Sequence, residues 1–306
     1  MPRVRRPALG YAMVLTAATM FAVNGSVAKV ALSSGLSALR LTEARCAGAA
    51  IGLVAIALVR SPASLRVRSR GELAGLAAFG VVGVALVQLF YFLAIGRLAI
   101  GVALLIQFLG VLLVAFWART FGHEHVRRRI WLALAFSLGG LALMVEVWHG
   151  SALDGVGIGY ALLAAVVLAA YLLVAEREIA RRDPVSLMAW GMVFATLFWT
   201  VAQPWWSFPG RKVAETVSLQ GHLSSWHVPV WALLLWIVVL GASVPFVLLV
   251  AGLGHVSATR VGIASMLEPV VATAVAWAWL EQSLAPVQLA GAAVVLAGIA
   301  LAQTAR

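Results

Sequence analysis

Apolar residues fill this chain in ten long blocks parted by short polar segments: 9–28, 37–59, 73–95, 99–118, 130–148, 156–175, 185–203, 230–253, 260–280 and 286–304. An α-helix rises ~1.5 Å per residue, so a block of about twenty residues matches the ~30 Å hydrocarbon core of a bilayer. The pattern predicts an all-α integral membrane protein with ten transmembrane helices, numbered here as spans 1 to 10. An even number of crossings brings both termini to one side. The longest connection, 204–229, begins and ends on proline and carries Trp205, Trp206 and Trp226, which suit a membrane interface. It reads as a loop lying on the interface, with a gate as the other reading.

The blocks also repeat. Phe21-Ala-Val-Asn24-Gly25-Ser26-Val27-Ala28-Lys29 in span 1 aligns with Leu168-Ala-Ala-Tyr171-Leu-Leu-Val174-Ala175-Glu176 in span 6. Ala94-Ile-Gly96 through Leu109-Gly-Val111 aligns with Gly252-Leu-Gly254 through Leu267-Glu-Pro269 at an offset of 158. Five spans per half is odd, so the second half must cross the membrane upside down relative to the first. The expected organisation is two five-helix inverted repeats, 1–149 and 150–306, in one membrane domain, with spans 4 and 9 as partners.

Polar residues inside the blocks are the candidate chemistry. Glu268 lies eight residues past Arg260, ~12 Å along the helix. A carboxyl at that depth costs roughly 2.5 to 3.5 kcal/mol, so it is expected against protein or a wet cavity, paired or protonated. Pro269 follows it; the ring has no N–H for the Ser265 carbonyl and crowds it, which kinks span 9 and leaves that carbonyl, the Ser265 hydroxyl and Glu268 as a polar spot. A packing kink beside a neutral glutamic acid is the plainer reading. The partner stretch in span 4 reads Gln107-Phe108-Leu109-Gly110-Val111; Gln107 is either a substrate contact or glue between helices, and Phe108 joins it as a candidate for the pathway.

Gln88 and Tyr91 are three apart on one face of span 3, as cavity lining or, for Tyr91, as an interfacial anchor. Asn24-Gly25-Ser26 breaks span 1, with Tyr171 at the equivalent place in span 6. Polar breaks in corresponding helices point to a transport site, although Lys29 also fits the outer end of a span. Arg40 and Glu43 can pair at i, i+3, which leaves Arg45, about eight residues into span 2, to snorkel or to turn inward and hold an anion such as a carboxylate. Gly262, Ser265, Pro269, Ala272 and Ala276, like Gly291 and Gly298, form small-residue faces for close packing.

Composition removes several classes. With 63% hydrophobic and 11% charged residues over 306 positions, the chain cannot be a soluble globule. The net charge of +11 would suggest nucleic acid in a soluble protein, but the basic residues gather in short loops. With the N-terminus inside, sixteen of the twenty-two lysines and arginines fall on the inner side, which predicts cytoplasmic termini. Pro2-Arg3-Val-Arg5-Arg6 and the apolar run after it mimic a signal peptide; nine further spans favour an uncleaved first helix. His123-Glu124-His125 in a basic loop reads as a solvated turn, and the lone Cys46 supports no disulfide or zinc site within one chain. No metal, cofactor or nucleic acid is expected, and no P-loop, HExxH or GxSxG is present.

Asn24-Gly25-Ser26 with Lys29, Ala44-Arg45, Phe90-Tyr91-Phe92-Leu93-Ala94, and the run from Ala251 to Gly298 with Ser265-Met-Leu-Glu268-Pro269 and Leu280-Glu281 resemble the drug/metabolite transporter superfamily, EamA type. Spans 3, 4 and 9 are most similar to its threonine/homoserine exporter branch. The resemblance implies a secondary transporter rather than an enzyme. It would export amino acids or related small metabolites across the cytoplasmic (inner) membrane by alternating access around a central cavity, with proton coupling or exchange as the energy source. Members near this branch read Glu-aromatic-x-Gly-Pro in span 4; here Gln107 and Val111 replace the acid and the proline, so the polar site leans toward span 9. The residues by themselves leave two further classes, a polytopic membrane enzyme acting on lipid-linked substrates and a non-transporting accessory protein. The partners expected are a small-molecule substrate, the lipid bilayer and protons as a candidate coupling ion.

Overall fold

The computed structural model describes residues 6–98, 100–121, 127–146, 148 and 154–304. The His123-Glu124-His125 stretch and the expected 149/150 boundary lie outside these residues. Ten helices among the described residues are long and apolar enough to cross a membrane: α1 (Pro7–Leu32), α2 (Ala38–Arg60), α3 (Arg70–Ile95), α4 (Ile100–Thr120), α5 (Arg128–Val145), α6 (Gly155–Ile179), α7 (Pro184–Ala202), α8 (Val230–Leu253), α9 (Ala258–Leu280) and α10 (Pro286–Thr304). They correspond one to one with spans 1 to 10.

Local chemistry sets where the helices begin. Pro7, Pro184 and Pro286 open α1, α7 and α10, where the missing N–H is no loss. Ser37, Ser69, Asp154 and Asp183 cap α2, α3, α6 and α7 by accepting a backbone N–H of the first turn. The Asp154 carboxylate also takes a hydrogen bond from Arg97 at 3.1 Å, and this guanidinium holds the carboxyl below its ordinary range. A depressed folded pKa stabilises the fold above the unfolded value and loses that contribution as pH falls. Asn at this position keeps the cap but not the charge. Asp154→Asn should therefore melt slightly lower than the native chain near neutral pH, with the gap closing as the pH drops below the ordinary value of 3.8. A gap independent of pH in thermal melts would show that the ion pair contributes nothing.

The helices pack in a pattern that survives exchanging each helix n for n+5. The α5–α10 and α2–α7 pairs map onto themselves, α4–α6 maps onto α9–α1, α3–α6 onto α8–α1, and α3–α7 onto α8–α2. This is the pseudo-two-fold relation of two inverted five-helix repeats. Glycine permits the closest approaches. A Cβ on Gly140 would lie 2.6 Å from the Val295 nitrogen, one on Gly291 2.6 Å from the Gly140 carbonyl oxygen, and one on Gly110 2.4 Å from the Ala165 carbonyl oxygen. Gly110 in α4 and Gly291 in α10, the latter from an expected small-residue face, therefore sit against neighbouring backbone.

Two large apolar cores result, with two smaller clusters beside them. One draws mainly on α1, α2, α3, α6, α7 and α8, with the first segment of α9, and includes Phe79, Leu187 and Trp199. The other joins α4, α5, α9 and α10 through Val111, Leu134, Ile263 and Val295. The start of α1 and the end of α10 meet on one face, called here the terminal face, where the Tyr11 hydroxyl donates to the Ala302 carbonyl. The opposite face carries the 203–229 connection, which contains a short antiparallel hairpin, β1 (Thr216–Ser218) and β2 (His227–Pro229), and is called the hairpin face.

Three helices are irregular at mid-length. In α9 the first segment, Ala258–Ser265, stops and a second, Leu267–Leu280, starts, with Met266 between them at φ −67° and ψ −3°. The break falls three residues before Pro269, as the missing N–H requires. In α3 and α8 the backbone widens to π-helical turns over Phe79–Leu86 and Val239–Ser243, an arrangement frequent at functional sites.

Candidate functional site

Two of the irregular helices, α3 and α9, meet α2 at one polar cluster. Arg45 on α2 turns inward, and its Nη2 donates to Oε1 of Gln88 on α3, immediately after the π-helical turns. Glu43 does not compete for it, because that carboxylate is fully buried and accepts from Arg40 Nη1 at 2.6 Å. Glu268 lies at the start of the second segment of α9, close enough that its charge acts on both Arg45 and the Tyr91 hydroxyl. No ion pair within 4 Å joins Arg45 to Glu268 among the described residues. Arg45, Gln88, Tyr91 and Glu268 are each only half-buried although they sit between packed helices, so the cluster borders an internal space.

The donors around that space are incompletely used. Arg45 Nε and Gln88 Nε2 are buried and have no partner. A buried polar group left unpaired costs roughly 1–3 kcal/mol, and more when charged. A cation and an anion held apart, with unsatisfied N–H groups beside the cation, can be completed by a ligand bearing both charges. The carboxylate of such a ligand would meet the Arg45 guanidinium, and its ammonium would face Glu268.

Other candidates make no hydrogen bond to this cluster among the described residues. Ser265 spends its hydroxyl on the Val261 carbonyl of its own helix. Phe108 packs into the apolar core with Ile263 and Met266. Gln107 is half-buried, and among the described residues no hydrogen bond connects it to the cluster. Asn24 lies eight residues short of the end of α1 at Leu32 and is buried; α1 runs unbroken through Asn24-Gly25-Ser26, where the sequence suggested an interruption.

Asn24 and Tyr171 occupy matching places. A Cβ on Gly241 would lie 2.0 Å from Asn24 Oδ1, and one on Gly83 would lie 2.7 Å from the Tyr171 ring. Gly83 and Gly241 stand 158 residues apart, the offset at which the halves align, and each falls within a π-helical turn. The polar residue of α1 thus rests on the irregular helix of the other repeat, and the same is true of α6. Asn24 Oδ1 and the Tyr171 hydroxyl are both buried without a partner.

Sequence reasoning paired Glu43 with Arg40, as observed, without foreseeing that Glu43 is 0% exposed. It also passed over Arg182, which is buried at the terminal face against Glu72 of α3 at 2.7 Å. The only sequence signal for the latter was an arginine immediately before the Asp183-Pro184 helix start.

Residues 8–146 and 155–304 each match the profile of the EamA-like transporter family, so the profile covers the chain twice. A solved structure described only as "Crystal structure of protein" superposes with a TM-score of 0.77 over 96% of this chain and 96% of that one, at 18% sequence identity. That likeness establishes the shared fold. The curated proteins contain no match.

Proposed function

The chain belongs to the EamA-like transporter family, whose members move small molecules across membranes, and from that premise we propose that it is a secondary transporter exporting amino acids or related small metabolites. The observation that carries the reading is the separated Arg45 and Glu268 pair, with Gln88 steering the guanidinium. A zwitterion satisfies both charges at once, the carboxylate on Arg45 and the amine on Glu268. With substrate absent, Glu268 can hold a coupling proton instead, so proton-coupled export and exchange share one residue. The resemblance of spans 3, 4 and 9 puts the threonine/homoserine exporter branch first among the substrate classes to be tried.

In this reading the terminal face is cytoplasmic, the membrane is the inner membrane, and 1–149 and 150–306 rock against each other around the central space. The arginine-rich connections of the terminal face support that orientation. Tyr91, Gln107, Ser265, Asn24 and Tyr171 line or support the path, and Phe108 backs it from the apolar side.

A resistance and efflux screen tests the function, with cells overexpressing either the native chain or Glu268→Gln challenged with a panel of amino acids and analogues. The native chain should lower the internal level of at least one zwitterionic compound and the variant should not. Equal behaviour of both across the panel would overturn the reading. In proteoliposomes, a Glu268→Gln rate equal to the native rate, with the same pH dependence, would remove Glu268 from substrate and proton handling.

A further inference from the structure

The α2–α7 pair is fastened at both ends by arginines in matching places. At the terminal face Arg182, just before α7, donates to the carbonyls of Ser64 and Arg66, to the Ser186 hydroxyl and to the Glu72 carboxylate. Ser186 Oγ and Trp190 Nε1 add bonds to the Ser64 and Leu65 carbonyls. All of these acceptors except Ser186 and Glu72 belong to the Pro62–Leu65 3₁₀ turn that follows α2 and the residue after it.

At the hairpin face the roles are exchanged. Arg40, in the first turn of α2, donates to the Pro204 carbonyl at 3.2 Å, to the Ser207 hydroxyl and to Glu43. Its target is the 3₁₀ turn that follows α7, Trp205–Ser207, entered through a proline just as the turn after α2 is. Lys212 extends the fastening to the Gly35 carbonyl at 2.9 Å. Each arginine therefore clasps the turn at the end of the other repeat's helix, and each is backed by a buried or half-buried carboxylate.

Both fastenings are closed in one structure. If each were the gate of its own face, alternating access would open one of them in every state except an occluded one. Opening the terminal-face fastening would strand the buried Arg182 guanidinium from its carbonyls, and opening the hairpin-face one would loosen the half-buried Arg40 beside a fully buried carboxylate. A bound substrate shifts a conformational equilibrium only by its differential affinity for the two states, and this pair lies away from Arg45 and Glu268 in its contacts.

We propose that Arg182 and Arg40 are rivets, which keep the α2–α7 seam closed at both faces throughout the transport cycle and make it the fixed fulcrum on which the repeats turn. This rests on the transporter reading above. Gating then falls to other helices, and the seam tolerates covalent closure.

The test joins Ser64→Cys to Ser186→Cys by oxidation in proteoliposomes, with the oxidised native chain as control. The reduced double variant must itself transport, which checks the function; the ratio of oxidised to reduced rates checks the fulcrum. A ratio within about twofold of unity is expected, because closure removes no motion the cycle needs. A larger fall, reversed by reductant, would make the terminal-face fastening a gate and overturn the proposal. A second readout needs no substrate: distances between spin labels at Val59 and Arg181 on the terminal face, and at Ser33 and Trp206 on the hairpin face, measured in reconstituted protein. One narrow distribution for each pair is expected; two populations in either pair would overturn the proposal even if the chain transported none of the compounds tried.

Discussion

Arg45→Met should lower transport of a zwitterionic substrate by about two orders of magnitude, through loss of at least one charge-assisted hydrogen bond worth about 1.5–3 kcal/mol. Methionine keeps most of the length and apolar bulk, so packing between α2 and α3 is largely retained. What disappears is the guanidinium that Gln88 orients and whose Nε has no partner of its own. The loss should appear chiefly as a higher substrate concentration for half-maximal rate, since the contact is made in the bound ground state. Arg45→Lys should recover little, because an ammonium cannot present a planar pair of donors to a carboxylate. The native chain should in turn reject the amine lacking the carboxylate and the acid lacking the amine. Uptake into inside-out vesicles measures all of this, and an Arg45→Met rate close to native would leave Arg45 with a packing role only.

The fold was legible because lipid imposes one dominant rule. Each span had to be an unbroken apolar block of helix length, so ten blocks gave ten helices, and the predicted and observed edges differ by only a few residues where they differ at all. The Arg40–Glu43 pair was legible for a similar reason, as i, i+3 spacing is local geometry. The break in α9 was also local, since a proline withdraws one hydrogen bond at a known distance. The π-helical turns left no such mark. Phe79–Leu86 is apolar on all sides, and one extra residue per turn shifts no polar position that could reveal it. Nor could the sequence choose between an outward and an inward Arg45, a choice made by Gln88 forty-three residues away on another helix. The Arg182–Glu72 contact spans 110 residues and depends on the α2–α7 packing. The same limit explains Ser265, whose hydroxyl chose the local carbonyl of Val261 over the space beside Glu268.

Gly241→Ala should destabilise the protein by about 1–3 kcal/mol, the usual cost of overpacking, and removing the Asn24 side chain should reverse most of that loss. The new methyl would begin 2.0 Å from Asn24 Oδ1, closer than any real Cβ contact, and α1 and α8 are held together along much of their length. Asn24→Ala clears that space and also deletes an oxygen that is buried without a partner, so the double variant Asn24→Ala/Gly241→Ala should melt close to the native chain. The inverted repeat makes the same prediction a second time. Gly83→Ala would place its methyl 2.7 Å from the Tyr171 ring, and that ring is wedged between Phe79 and Phe246 and cannot step aside. Truncating Tyr171 removes far more than the added methyl, so Tyr171→Ala should leave a cavity, and Gly83→Ala should be rescued only in part. Thermal melts of the two cycles in detergent separate the cases: strong coupling between 24 and 241 with weaker net recovery between 83 and 171. Additive effects in the first cycle would mean that the π-helical turn of α8 relaxes around the methyl, and that Gly241 is not what lets Asn24 sit deep within α1.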